Sequence, residues 1–351
     1  MNIKYKKFRI SKNDKLETLS KKLGLKTDEM IGFHNVFAKE DEFIMYDLPE
    51  HLQELYVYPY IYDNIKDTRL KVKLADNYKL AHLPKKEVLS YGVMYFINSG
   101  EEETTMKYEI SVSYLKKDTI GLYFEIDKIS ATYINDEEAN TVADELAEIL
   151  SATLYPLTII VDENGKWNNV ANFKEIKNRW DKVKETIYKD FEGDWINDYL
   201  QECENNLIDE NTFTLSLKEN WFLNAYFGGI YFYYGNSFNF ENSMNFPVLT
   251  EIADLQYTVK HNLQELLNEE DTVKIDVTGF LNDARSKEDF ENKLNFPFQT
   301  LENQNAEKAT GSYNAKYFLN TTTQSIESMM VECKINLDIP QKIKIIIASI
   351  N

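Results

Sequence analysis

Hydrophobic positions change their period several times along the chain, and each change marks an expected element. Phe8 and Ile10 alternate with charged neighbours, as in a half-buried strand. Leu16, Leu19, Ser20 and Leu23 then recur at helical spacing. They follow Ser11, Asn13 and Asp14, whose side-chain oxygens can accept the unpaired amides of a helix start. Gly24 stands where a left-handed C-cap is wanted. Thr27 can cap a second helix ending near Asn35, with Asp28 and Glu29 favourably placed at its positive end. Leu55-Tyr56-Val57-Tyr58-Pro59 alternates again and stops on proline. Residues 1–60 thus read as strand, two short helices, strand, with Val36 to Glu54 inserted before the last strand.

Residues 61–88 have weak periodicity and read as a partly packed connection. The body, 89–351, is rich in strands. Tyr91–Asn98, Thr104–Tyr114 and Thr119–Ile134 alternate, and Asn164-Gly165 between Thr158–Val161 and Lys166–Asn168 predicts a type I′ hairpin. Ile230–Tyr234 is an aromatic strand candidate, and Leu255–Leu263 with Thr272–Phe280 reads as a pair. A short charged helix is expected over Asp283–Leu294. Gly311–Leu319, Ser325–Leu337 and Gln341–Ile350 read as three closing strands. Helices are expected near 136–151, opened by Asn135, and near 172–203. In the latter, Phe173, Ile176, Trp180, Val183, Ile187 and Phe191 form one stripe that Trp195 and Tyr199 can extend. The expected class is α+β: a small βααβ module, then a large curved, half-barrel-like antiparallel sheet packed on a long helix.

Composition narrows the function. A formal charge of −19 disfavours nucleic acid, because phosphate binding needs a basic surface. No apolar run is long enough to span a membrane, and no apolar leader segment follows Met1, so a cytoplasmic protein is expected. Two cysteines, Cys203 and Cys333, are too few for a disulfide framework or a cysteine-rich zinc site.

Candidate chemistry is sparse. None of His34, His51, His82 and His261 lies three or four residues from another, so no catalytic, metal or cofactor site is expected. An EF-hand begun at Asp162 would need its bidentate glutamate where Phe173 stands. Gly228, Gly229 and Gly235 lack the lysine of a phosphate loop. In the aromatic segment, strand alternation would send Phe232 and Tyr234 to one face and Tyr231 and Tyr233 to the other. Tyr231 and Tyr233 are therefore candidates for an exposed docking face.

Asp14, Leu16, Leu19, Gly24, Ile31, Asn35 and Tyr58-Pro59 fall in the order of a LysM module, and this stretch resembles that family. Lys15 replaces its usual threonine. The resemblance implies a βααβ fold and a ligand groove lined by loops around the helices, here Asn13, Asp14, Lys15, Leu16, Gly24, Leu25, Lys26, Thr27 and Asn35. Thr158–Trp180 and Gly311–Ile347 are similar in outline to β-rich proteins common in Bacteroidetes, among them open half-barrel carriers. The resemblances imply a non-enzymatic docking or adaptor protein with a protein partner, of the kind found in type VI secretion and other contractile injection systems. A binder of N-acetylglucosamine-containing glycan, from peptidoglycan or chitin, is the alternative. A carrier with an apolar ligand between the long helix and the sheet is the third reading.

Overall fold

The computed structural model describes residues 5–10, 14–64, 70–75, 78–138, 141–191, 193–303 and 305–350. They form two compact units. One comprises the chain up to Val72 with Leu266–Thr272; the other comprises Lys73–Glu265 and the chain from Val273.

The first unit contains β1 (Lys6–Arg9), α1 (Leu16–Leu23), α2 (Thr27–Phe37), β2 (Glu54–Val57) and α3 (Pro59–Asn64). β1 and β2 pair antiparallel with Phe8 opposite Leu55. Leu16, Leu19, Leu23, Met30, Ile44, Leu55 and Val57 make its core. The start of α1 shifts by one residue from the expected cap. Lys15 occupies the N-cap, and its N–H donates to Thr18 Oγ1 at 2.8 Å. Lysine carries no acceptor, so Thr18 satisfies the backbone instead. Gly24 adopts φ +66°, and Leu25 N–H donates to Ser20 O at 3.0 Å, which closes the helix as expected. Lys26, not Thr27, occupies the N-cap of α2.

The Val36–Glu54 segment is tied to α2 by two side chains. Asn35 Nδ2 donates to Ile44 O and Asn35 Oδ1 accepts from Ile44 N–H, both at 2.9 Å. Buried His34 accepts from Tyr56 N–H at Nδ1 (3.1 Å), so its proton sits on Nε2, which donates to Glu42 O (3.1 Å).

The second unit is built on one open antiparallel sheet. Its strands are β3 (Val88–Ser99), β4 (Glu102–Lys117), β5 (Leu122–Lys128), β6 (Tyr133–Ile134), β7 (Glu137–Glu138), β8 (Leu157–Val161) and β9 (Trp167–Val170). They continue with β10 (Asn239–Phe246), β11 (Leu255–Leu263), β12 (Val273–Leu281), β13 (Thr310–Leu319), β14 (Ile326–Asn336) and β15 (Gln341–Ser349). The spatial order is β10-β11-β12-β13-β14-β15-β3-β4-β5-β8-β9, with the β6–β7 ribbon paired to β4. The helices are α4 (Val142–Leu154), α5 (Phe173–Asp190), α6 (Asp194–Asn206), α7 (Glu210–Ser216), α8 (Trp221–Tyr226), α9 (Lys287–Glu291) and α10 (Phe298–Glu302).

Alternation decides the sheet's two faces. Tyr91, Val93 and Tyr95 of β3 are buried together with Ile343, Ile345 and Ile347 of β15 and Tyr313, Ala315 and Tyr317 of β13. Their neighbours Lys316, Lys334, Lys342 and Lys344 point the other way, as period two requires. Short α8 lies on the covered face. Tyr226 Oη donates to Tyr91 Oη (2.9 Å), and Tyr317 Oη donates to Ala225 O (3.5 Å). Each buried tyrosine body contributes about 1.5–3 kcal/mol by leaving water, provided its hydroxyl finds a partner.

Several expected elements take another form. Ile230–Tyr234 makes no regular strand; Tyr233 only bridges Lys79. Without strand alternation, Tyr231 and Tyr234 are both buried. Asn135 and Asp136, at φ +51° and +66°, form the β6–β7 turn, and α4 starts later on the Thr141 cap. In the β8–β9 loop only Gly165 has positive φ, and Asp162 N–H donates to Lys166 O. That is a three-residue loop with a glycine bulge rather than a type I′ turn. The long helix stops at Asp190, and Gly193 at φ +137° precedes α6, which carries Trp195 and Tyr199. α5 packs on α4, where Arg179 donates to the Thr153, Leu154 and Pro156 carbonyls. Lys184 ties α5 to Glu204 of α6.

Candidate ligand-binding cleft

Aromatic side chains pack much of the covered face, and a ligand-sized cleft lies at one end of the sheet. A cleft of about 620 Å³ opens between the β14–β15 turn, the N-terminus of α8, the Val248–Thr250 segment and α9. Ile97, Trp221, Val248, Leu249, Phe290, Leu337, Ile339 and Ile343 line it. That volume falls within the range of small-molecule pockets, about 300–1,000 Å³. A second cleft of about 590 Å³, by Lys85, Asn320, Thr322, Ser325 and Glu327, has mainly polar walls.

The apolar walls are positioned by polar fasteners behind them. Asn220 Oδ1 caps α8 by accepting Leu223 N–H at 3.0 Å, which sets Trp221 at the helix start. Trp221 Nε1 donates to Pro247 O at 2.7 Å, so the indole's one polar atom is satisfied against the wall. α9 is held by a reciprocal cap: Ser286 Oγ accepts Asp289 N–H (3.1 Å), and Asp289 Oδ2 accepts Ser286 N–H (2.7 Å). Arg285 lies 4.4 Å from the Phe290 ring centroid and donates to the Ala253 and Asp254 carbonyls. It also forms a bidentate pair with Asp283, at 2.9 and 2.8 Å. Burial pushes the Asp283 carboxyl up, but its bonds from Arg285 and from the Gln256 N–H together outweigh it and hold the group below its ordinary value.

Charges surround the cleft in pairs. Lys293 meets Glu251 at 2.5 Å, Lys287 meets Asp338 at 2.6 Å, and Glu291 Oε1 accepts Asp338 N–H at 3.1 Å. Ile339 stands on the lip, 59% exposed ahead of Pro340. An apolar floor whose rim lysines are both engaged by carboxylates can take an uncharged apolar group by shape and desolvation. Among the described residues no group of three or more histidines, cysteines or carboxylates could hold a metal ion. No helix among them is long and apolar enough to cross a membrane.

The residues singled out from sequence lie elsewhere. Asn13 falls outside the described residues. Leu16 is in the core of the first unit, and Leu25 packs against it. Asp14 and Thr27 are half-buried, Lys15, Gly24 and Lys26 are exposed, and Asn35 is engaged by Ile44. Tyr231 is interior: its hydroxyl donates to Gln324 O (2.8 Å) and its ring stacks on His82. Tyr233 is 57% exposed, with Lys79 Nζ 5.1 Å from its ring centroid. Sequence reasoning missed the cleft. Its available signal was apolar residues in connecting segments, Val248-Leu249 after Pro247 and Ile339 before Pro340.

No protein-family model matches the chain, and no curated protein matches it. Its fold is similar to part of a lipovitellin chain, solved in a study of lipid–protein interactions in lipovitellin. The two share 12% identity at a TM-score of 0.35, over 76% of this chain and 26% of that one. The chain thus spans about a quarter of the lipovitellin chain's length, and nothing about a ligand follows from that likeness.

Proposed function

We propose that the chain is a non-enzymatic binding protein whose open-sheet domain takes an uncharged apolar ligand group in the cleft beside Trp221. The observation that carries this reading is the cleft itself: an apolar floor of ligand size, with the rim lysines Lys287 and Lys293 already engaged by Asp338 and Glu251. Titration with the neutral dye Nile red tests it. Saturable binding is expected, weakened about tenfold or more when Ile339→Glu or Leu249→Glu places a charge at the wall. Absence of saturable binding, or binding indifferent to both variants, would sink the reading.

A second reading concerns the N-terminal module, LysM-like in its sequence pattern. Val36 (68% exposed), Met45 (71%) and Tyr46 (94%) present apolar surface on and beside its tied segment, which favours a protein partner over a sugar. An adaptor of a contractile injection system is the class the sequence resemblance implies. Calorimetry against N-acetylglucosamine oligomers separates the two: saturable heat abolished by changes at Lys15 and Lys26 would favour glycan.

A further inference from the structure

The sheet ends differently on its several sides. β9 is only four residues long and its margin is covered, since Trp167 N–H donates to Phe227 O and Lys166 bridges Gly228. Thr214 of α7 adds a hydrogen bond to Asn169. β7 is two residues long and both are glutamates. Short length, cover and charge are how sheet edges avoid pairing with other chains. β10 has none of these. It runs eight residues, Asn-Phe-Glu-Asn-Ser-Met-Asn-Phe, with an unbroken register to β11 and a single charge, Glu241. Among the described residues its backbone has no strand partner besides β11.

Leu263 N–H donates to Phe238 O, which places Phe238 in a hydrogen-bonded pair. Alternation then turns the even-numbered backbone groups of β10 toward β11 and leaves those of Asn239, Glu241, Ser243 and Asn245 pointing outward. A strand added antiparallel must bond through these odd positions, so its register is restricted. We infer that the β10 edge pairs with the same edge of a second copy of this chain, about a two-fold axis through Asn242. In that register Phe240 faces Met244 of the second copy on the covered face, and Glu241 faces Ser243 on the open face. Asn239 faces Asn245, and Asn242 meets its own mate. Apolar sets against apolar, polar against polar, and no like charges oppose each other. Shifting the two-fold to Ser243 would set Asn242 against Met244, a poorer match. Among the described residues the large sheet offers one unprotected edge, so pairing through it ends at a closed dimer rather than a filament. Two bodies each carrying a formal charge of −19 repel at a distance, so salt strengthens the dimer.

Sedimentation of the full chain tests this. The wild type is expected near twice 41.2 kDa, with a dimer fraction that rises with salt. Ser243→Pro removes one outward N–H while leaving the β11 pairing intact, and is expected near 41.2 kDa with unchanged far-ultraviolet circular dichroism. Asn242→Cys in a Cys203→Ser background should oxidise to a covalent dimer, because directly opposed residues of a non-hydrogen-bonded pair sit within disulfide reach. A wild type that stays at 41.2 kDa at every concentration and salt overturns the inference. A folded Ser243→Pro variant that dimerises like the wild type overturns the edge assignment, and a dimer without the Asn242→Cys link overturns the two-fold register.

Discussion

The His82 imidazole lies flat on the Tyr231 ring, with centroids 4.1 Å apart and planes 5° from parallel. Phe124 stacks on its other side at 5.4 Å, and His82 Nδ1 is buried without a hydrogen-bond partner. Such a site tolerates only the neutral ring. Burial holds His82 down at about 3 and His261, stacked on Phe240, at about 4.

A pH dependence follows. Unfolded histidine protonates near 6.5, whereas these folded histidines do not, so protons bind the unfolded chain preferentially below that value. Stability is therefore full above about pH 6.5 and falls on acidification, by up to about 1.4 kcal/mol per pH unit per histidine until the folded value is reached. His34, also lowered by burial, acts in the same direction. Thermal midpoints of the wild type should drop between about pH 7 and pH 5, and His82→Phe should drop less while keeping the stack.

Gly165 supports the same stack from outside. A Cβ there would lie 2.4 Å from Tyr231 Cδ2, at φ +82°. Gly165→Ala is expected to cost about 3 kcal/mol or more, since strain and overlap add. Gly235→Ala, at φ +66° with no atom within 4 Å, should cost only about 1–2 kcal/mol. Urea denaturation of both variants measures the difference.

Asn35 predicts a local effect. Asn35→Ala removes both bonds to Ile44 and leaves that residue's backbone groups unpaired in a part-buried site. The expected loss is about 1–3 kcal/mol. Hydrogen exchange at the Ile44 amide should accelerate, while amides of β13 to β15 keep their protection.

Behind the cleft, Arg285→Met strands the Asp283 carboxylate in a site where it is 9% exposed. A loss of about 3–5 kcal/mol is expected, and Asp283→Asn in the same chain should recover part of it, as a double-mutant cycle will show. Because Asp283 is held below its ordinary value, the wild-type pair contributes above the unfolded carboxyl range and is lost as pH falls through the folded value.

Where alternation is strict, strands that pair with a chain neighbour were readable, whereas β10 and the β6–β7 ribbon, which also pair locally, were not. The final three strands, the β11–β12 pair and Gly24's cap all follow from period-two alternation or from one left-handed position. Where the decisive partner is distant, the pattern misled. Tyr231 and Tyr233 look equivalent along a strand, but His82 and Gln324 draw one inside, and Lys79 meets the other at the surface.

By itself the sequence determined the βααβ module and most of the antiparallel strands, because those depend on spacing among near neighbours. Only the tertiary structure decided that short α8, rather than the long helix alone, covers the central strands. It also decided that Trp221, Leu249, Phe290 and Ile339 converge on one cleft, and that β10 is left as an open edge. Those residues come from separate segments scattered between Trp221 and Ile339, and no periodicity encodes which surfaces such segments will share.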